Sequence, residues 1–197
     1  MLGKASGIVE PAIRWFAQAL HELGLKPNHI TGLSFSCSLL AACSFVIVTD
    51  HILRGILAGI FLLLSGLFDA TDGLMARIYG EESHFGAFFD SVLDRVSEIA
   101  IYWAAIYSNL VDWSIGFIAL SGSLMVSYSR ARAEQLGSEM KGVGIAERPE
   151  RLLIVAASAF LNQLNAGALL IAVLSIVTLL QRIVHAGSTL VDTQHIG

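Results

Sequence analysis

Four aspartates stand out in a chain that is otherwise apolar. Asp69 and Asp72 fall near the end of one hydrophobic run, and Asp90 and Asp94 near the start of the next. Helical residues three or four positions apart share a face, so each pair projects to one side of its helix. Carboxylates gathered in a low-dielectric setting repel one another unless cations lie among them. Oxygen ligands without a nearby cysteine or histidine pair favour Mg²⁺, or alternatively Mn²⁺, over zinc.

Two such ions among Asp69, Asp72, Asp90 and Asp94 would suit phosphoryl transfer. Ions about 4 Å apart, bridged by shared carboxylates, can neutralise both the attacking and the leaving oxygen.

The residues beside the acids fit the same chemistry. Gly73, Ala76 and Gly86 leave the helix surface nearly bare, so that a bulky ligand can approach the backbone. Arg77 adds a fixed charge suited to phosphate oxygens. The alternative is that the small residues only let two membrane helices pack closely, but close packing does not call for four acids.

The composition is that of an integral membrane protein. Of 197 residues, 55% are hydrophobic and 14% are charged, and the mean hydropathy is +0.69. These values exceed those of most soluble domains. The formal charge of −4 makes nucleic acid an improbable partner. Cys37 and Cys43 both fall in the first apolar stretch and are expected to be packing residues.

The elements that must position the acids are predicted to be six transmembrane helices, which defines an all-α fold. A span needs roughly 20 apolar residues. The candidates cover 29–49, 52–76, 85–110, 112–134, 150–163 and 165–184. The polar segment LNQLNAG is either a tight turn or part of one broken helix, in which case the count is five.

Residues 1–27 are predicted to form an amphipathic helix on the bilayer surface, because apolar residues recur at helical spacing. Residues 187–197 are predicted to be a mobile tail. We therefore expect one membrane domain over residues 1–186.

The basic residues predict the orientation of these spans. With the N-terminal helix in the cytoplasm, Arg54 is the only one of the 12 lysines and arginines that falls on the far side. The expected location is a multi-pass protein of the cell membrane. The four aspartates would then gather near the cytoplasmic face.

Residues 69–94 resemble the signature of the CDP-alcohol phosphotransferases, integral membrane enzymes of phospholipid synthesis. They read D-x-x-D-G-x-x-A-R, eight residues, and then G-x-x-x-D-x-x-x-D, with every fixed position present. The resemblance implies a single six-span domain, normally a homodimer. Such an enzyme moves a substituted phosphate from a CDP-linked lipid to an alcohol and releases CMP.

The resemblance also implies roles for individual residues. Asp69, Asp72 and Asp90 would bind the paired metals, with Asp94 beside them as the general base for the acceptor hydroxyl. The segment KPNHIT resembles the family's approach to its first span. The residues implied for the CDP-lipid site are Pro27, Asn28, Thr31, Asp69, Gly73, Ala76, Arg77 and Gly86.

A segment rich in arginine indicates what kind of acceptor substrate the protein uses. Arg148 and Arg151 are three positions apart and share a helix face, with Pro149 suited to a first helical turn. Paired guanidinium groups suit an acceptor that carries its own phosphate. The segment ERPER, with ARAE upstream, resembles the branch that uses inositol 1-phosphate, in which Arg148 and Arg151 would bind the phosphate. Arg132 is a further candidate, and ordinary positive-inside placement is the alternative for these arginines.

Several alternatives remain open from the sequence. The lipid could be CDP-diacylglycerol or CDP-archaeol, and the acceptor could be glycerol 3-phosphate or serine. UbiA-type prenyltransferases also hold Mg²⁺ between aspartate-rich motifs, but they are longer and differ from the A-R and G-x-x-x-D elements. A cation transporter would place its acids near the midplane, whereas these gather near one face beside Arg77.

Overall fold

The described residues form seven helices and contain no strand. The computed structural model describes residues 6–192, with side chains described for residues 10–190. The helices are α1 (Ser6–Glu22), α2 (Pro27–Ile47), α3 (His51–Tyr79), α4 (His84–Tyr107), α5 (Trp113–Gln135), α6 (Arg148–Phe160) and α7 (Leu164–Asp192). The predicted all-α class is confirmed.

Each of the six predicted spans corresponds to one helix from α2 to α7. Three of them are long and apolar enough to cross a membrane, namely α2, α3 and the part of α7 from Leu164 to Leu190. The count of six spans therefore stays a prediction. The predicted tail was placed from residue 187, but α7 continues to Asp192, and residues 193–197 lie outside the described part of the chain.

Short polar connections bring the end of α3 and the start of α4 to one end of the bundle, where both helices pack against α2 rather than along each other. Gly80 ends α3 in the left-handed conformation with a φ of 66°, which favours glycine. The Ser83 hydroxyl accepts a hydrogen bond from the backbone N–H of Gly86 at 3.0 Å and caps the start of α4. Because the connection is this short, the last turns of α3 and the first turns of α4 lie at the same end of the bundle.

The first three residues of the LNQLNAG segment form a tight turn between α6 and α7, and its last four residues begin α7. Asn162 takes a φ of 53°, a conformation that asparagine tolerates better than most residues. The segment therefore separates two helices, which favours the count of six hydrophobic segments over five.

Small residues let the helices of the bundle approach closely. Gly55 and Gly59 share one face of α3, which packs against α6. A Cβ added at Gly59 would lie 2.6 Å from the Phe160 ring. Such contacts hold membrane helices together by close packing rather than by the exclusion of water. They fix the position of α6, whose first turn carries Arg148.

Helix α1 packs across the end of the bundle that carries the aspartates. Ala17 is buried together with Ile30 of α2 and Met75 of α3. The His21 ring stacks on Tyr79, with centroids 3.6 Å apart. Trp15, on the other side of α1, is 70% exposed. One side of α1 is therefore buried and the other exposed, which is compatible with the predicted amphipathic helix. The place of this helix at a bilayer surface stays a prediction.

Candidate active site

Three of the four aspartates meet between α3 and α4. One carboxylate oxygen from each of Asp69, Asp72 and Asp90 lies within 4.8 Å of the others. Asp72 is only 6% exposed, and the other two are half-buried. Converging oxygen donors of this kind fit a hard divalent cation. The pairing of D-x-x-D on one helix with an aspartate on the next is therefore present in three dimensions.

Helix α2 supports this group through a single hydroxyl. Thr31 donates a hydrogen bond to Oδ2 of Asp72 at 2.7 Å. Thr31 is itself buried, and its place on α2 is set by Pro27, which begins the helix. A hydrogen bond from a neighbouring side chain fixes the orientation of a ligating carboxylate.

Asp94 lies next to the three-aspartate group and is joined to it by Arg148. One guanidinium nitrogen of Arg148 contacts Oδ1 of Asp94 at 2.6 Å, and the other contacts Oδ1 of Asp69 at 2.7 Å. Arg95 approaches Oδ2 of Asp94 at 3.7 Å. Asp94 is not among the three converging carboxylates, so its predicted share in metal binding is untested by this geometry.

The charges at this site do not cancel. Of the described residues, only Arg95 and Arg148 form ion pairs with the four carboxylates. Four carboxylates therefore face two positive charges. Buried charge needs compensation, and divalent cations at the carboxylates would provide it.

A cleft of about 630 Å³ opens beside the aspartates. Seven of the eight residues predicted for the CDP-lipid site line it, and Asp69 is the exception. These seven are Pro27, Asn28, Thr31, Gly73, Ala76, Arg77 and Gly86. The sequence did not single out Glu81, Glu82 and Ser83, which line the cleft from the α3–α4 connection.

The two glycines of the cleft act differently. A Cβ at Gly73 would meet no atom within 4 Å, so this glycine leaves open space for a ligand. A Cβ at Gly86 would lie 3.0 Å from Oδ1 of Asn28, so this glycine lets α2 and α4 approach each other.

A second cavity, of about 830 Å³, is rich in arginine. Its charged and polar lining is Asp90, Ser91, Arg95, Ser127, Arg130, Glu134, Glu147, Arg148, Arg151 and Arg182. Asp90 is the one residue that lines both this basic cavity and the cleft. The two spaces therefore meet at the carboxylates.

The three arginines predicted for the acceptor occupy different settings. Arg148 reaches the aspartates. Arg151 is 3% exposed and donates to Oε1 of Glu98 at 2.6 Å and to the Ala146 carbonyl at 3.0 Å. Arg132 is exposed, donates to Gln135 at 2.7 Å and does not line the basic cavity.

Arg130 and Arg182 line the basic cavity but were not predicted as site residues. Arg182 is 2% exposed and donates to the Val143 carbonyl at 3.0 Å. Both arginines face Glu147, at 3.5 and 3.4 Å respectively. A charge inside the apolar run of α7 is the signal that could have drawn attention to Arg182.

This combination defines a class of protein: an apolar helical bundle with a carboxylate site between a cleft and an arginine-lined cavity is suited to phosphoryl transfer at a membrane. The chain belongs to the CDP-alcohol phosphatidyltransferase family, whose pattern matches residues 25–188. It is thus a CDP-alcohol phosphotransferase. The prenyltransferase and transporter alternatives are thereby removed.

Similar proteins point to one branch of the family. An archaetidylinositol phosphate synthase of Pyrococcus horikoshii is 40% identical, over 94% of this chain and 96% of the relative. The crystal structure of a Mycobacterium tuberculosis phosphatidylinositol phosphate synthase with CDP-DAG bound has a TM-score of 0.72 and 30% identity, covering 88% of this chain and 92% of the other. The same enzyme in complex with manganese and citrate has a TM-score of 0.71 and 31% identity, covering 87% of each chain.

Proposed function

We propose that the protein transfers a lipid-phosphate group from a CDP-linked lipid, either CDP-diacylglycerol or CDP-archaeol, to a hydroxyl of inositol 1-phosphate and releases CMP. The observation that carries this proposal is the position of Asp90, at the junction of the cleft and the basic cavity. The names of the similar enzymes support the choice of inositol 1-phosphate as the acceptor.

The cleft would hold the nucleotide end of the donor lipid. Its floor at Gly73 is open, and Arg77 lies beside it for phosphate oxygens. The carboxylates of Asp72 and Asp90 form one wall. A diphosphate in the cleft would therefore meet the positive charge of Arg77 on one side and the carboxylates on the other. Bound Mg²⁺ or Mn²⁺ would link those carboxylates to the phosphate oxygens.

The basic cavity would hold an acceptor that carries a phosphate. Five arginines line it, and guanidinium groups bind phosphate oxygens through paired donors. Serine and free inositol lack that group, so the cavity favours inositol 1-phosphate or, as the alternative, glycerol 3-phosphate. Within this cavity Arg148 is the arginine nearest the carboxylates, and Arg130 and Arg182 add to Arg151.

The reaction would form a bond between the acceptor hydroxyl oxygen and the phosphorus that carries the lipid, while the bond from that phosphorus to CMP breaks. Asp94 would take the hydroxyl proton, and CMP would leave with the bonding electron pair. Arg148 orients Asp94 through its 2.6 Å contact. Two divalent ions, when bound by Asp69, Asp72 and Asp90, would supply neutralisation of the charge that develops on the phosphate oxygens.

We further propose six membrane spans with the active site facing the cytoplasm, and a homodimer. The basic residues gathered at the end of the bundle that carries the site support the orientation. Exposed apolar side chains on several helices, such as Leu63, Val96 and Leu180, support contact with lipid or a second copy.

The test is CMP release by purified protein given Mg²⁺ and each CDP-lipid in turn. The acceptors are inositol 1-phosphate, glycerol 3-phosphate, serine and free inositol. We expect release with inositol 1-phosphate, and Asp90→Asn serves as the inactive control. No release with any acceptor would contradict the donor chemistry. Release with serine or free inositol alone would contradict the choice of acceptor.

A further inference from the structure

A small cavity lies deeper in the bundle than the aspartates, behind the arginines of α6. Glu98 and Tyr102 follow Asp94 along α4 at steps of four, so they continue the same face into the bundle. Ser123 of α5 faces them. The polar lining of the cavity is Ser38, Ser97, Glu98, Tyr102, Ser123, Arg148 and Arg151.

Three polar atoms in this lining are buried, and no described residue outside the lining makes a hydrogen bond to any of them. They are the Tyr102 hydroxyl, the Ser123 hydroxyl and Oε2 of Glu98. Tyr102 is 5% exposed and Ser123 is fully buried. A buried polar group without a partner is costly, and native structures pair nearly all of them with protein or with ordered water.

Glu98 has hydrogen-bond donors at only one of its two carboxylate oxygens. Both guanidinium contacts from Arg151, at 3.2 and 2.6 Å, go to Oε1. Oε2 faces the cavity with its acceptor capacity unused. A carboxylate can accept about four hydrogen bonds, so half of this group needs donors from elsewhere.

We infer that the cavity is an internal water site, in which ordered water donates to Oε2 of Glu98 and bridges the hydroxyls of Tyr102 and Ser123. The enclosed space suits about one water molecule and is too small for a sugar-sized ring. A metal ion does not fit this lining, because Arg148 and Arg151 face a single carboxylate.

The water site has a consequence for the neighbouring arginine. Water at Oε2 fixes the carboxylate of Glu98, and Glu98 in turn holds the buried guanidinium of Arg151. Glu98 is thus a positioning residue for the first turns of α6. The water site does not depend on the identity of the acceptor or on turnover.

Hydroxyl-radical footprinting with X-ray radiolysis tests the water directly, because bound water generates radicals beside the side chains that it contacts. The protein is used whole, in lipid nanodiscs, and oxidation of Tyr102 is measured by mass spectrometry. Phe45, which is 1% exposed, is the buried aromatic reference. We expect Tyr102 to be oxidised several-fold faster than Phe45 after correction for intrinsic reactivity.

Two variants test whether the radicals that oxidise Tyr102 arise from water in this cavity. Ser123→Val replaces the hydroxyl with methyl groups that fill the cavity and should abolish the extra oxidation of Tyr102. Ser175→Val is the matched control, since Ser175 is equally buried and unpartnered but does not line this cavity. If Ser123→Val does not fold, Ser123→Thr adds one methyl group to the same space, excludes the water and should lower the oxidation. Oxidation of Tyr102 at the rate of Phe45, or unchanged oxidation in the folded Ser123 variant, would overturn the inference.

Discussion

Replacing Arg148 by lysine should reduce turnover. Arg148 contacts Asp69 and Asp94 at 2.7 and 2.6 Å through separate guanidinium nitrogens. A lysine keeps the positive charge but offers a point charge in place of a fork, so it reaches only one of the two carboxylates well.

The size of the effect follows from the loss of one close charge–charge contact at a site where both partners are mostly buried. A polar contact to a charged group contributes about 1.5 to 3 kcal/mol. At about 1.4 kcal/mol for each factor of ten, kcat/KM for the acceptor should fall by about 10- to 150-fold. Since Arg148 orients Asp94, much of the loss should appear in kcat, and loss of acceptor binding would add a higher KM.

The assay is CMP release with CDP-lipid fixed at saturation and inositol 1-phosphate varied, then the reverse. Arg132→Lys is the matched control, because Arg132 is exposed and does not line the basic cavity. Thermal unfolding of both variants shows whether they remain folded. If folded Arg148→Lys keeps the wild-type kcat and acceptor KM, then Arg148 neither orients Asp94 nor contacts the acceptor.

Three further outcomes are expected. Asp94→Asn should bind CDP-lipid normally and release no CMP; turnover in this variant would end the role of Asp94 as base. Chelation of divalent ions should abolish activity, and Mg²⁺ or Mn²⁺ should restore it; full activity in the chelator would contradict metal use by the carboxylates. Gly59→Ala should lower the melting temperature, because its Cβ would lie 2.6 Å from the Phe160 ring, whereas Gly73→Ala should keep the melting temperature and raise the KM for CDP-lipid, since open space there faces the cleft. Equal melting temperatures for the two glycine variants would contradict the packing argument.

The sequence predicted the positions of the helices for a physical reason. Hydrophobic runs separated by capping residues such as Asp50 and Ser83 set the helix boundaries within a few residues. The fixed spacing from Asp69 to Asp90 spans one short connection, so the end of α3 and the start of α4 lie close enough to bring Asp69, Asp72 and Asp90 together. Contacts across a short connection depend on local spacing, which a sequence displays.

Contacts between helices distant in the chain could not be read in that way. Arg151 pairs with Glu98, 53 positions away, and Arg182 donates to the Val143 carbonyl, 39 positions away. Both contacts depend on how α6 and α7 pack against earlier helices. The isolated charge of Arg182 was visible in the sequence, but its partner was not. Arg132 was predicted from the ARAE segment, yet it lies two positions from Arg130, and residues at that spacing point to different sides of a helix, so Arg130 lines the cavity and Arg132 is exposed.

The separation of the two cavities has a consequence for the proposed chemistry. Transfer at phosphorus requires the attacking and leaving oxygens to lie roughly in line, on opposite sides of the transferred group. The cleft and the basic cavity share Asp90 but no other lining residue. A donor in the cleft and an acceptor in the basic cavity would therefore approach the carboxylates from different directions. Arg148 lines the basic cavity and contacts Asp94, so the proposed base lies beside the acceptor side of this junction. The proposed base would thus be near the arriving nucleophile, and the leaving nucleotide would keep its own path out through the cleft.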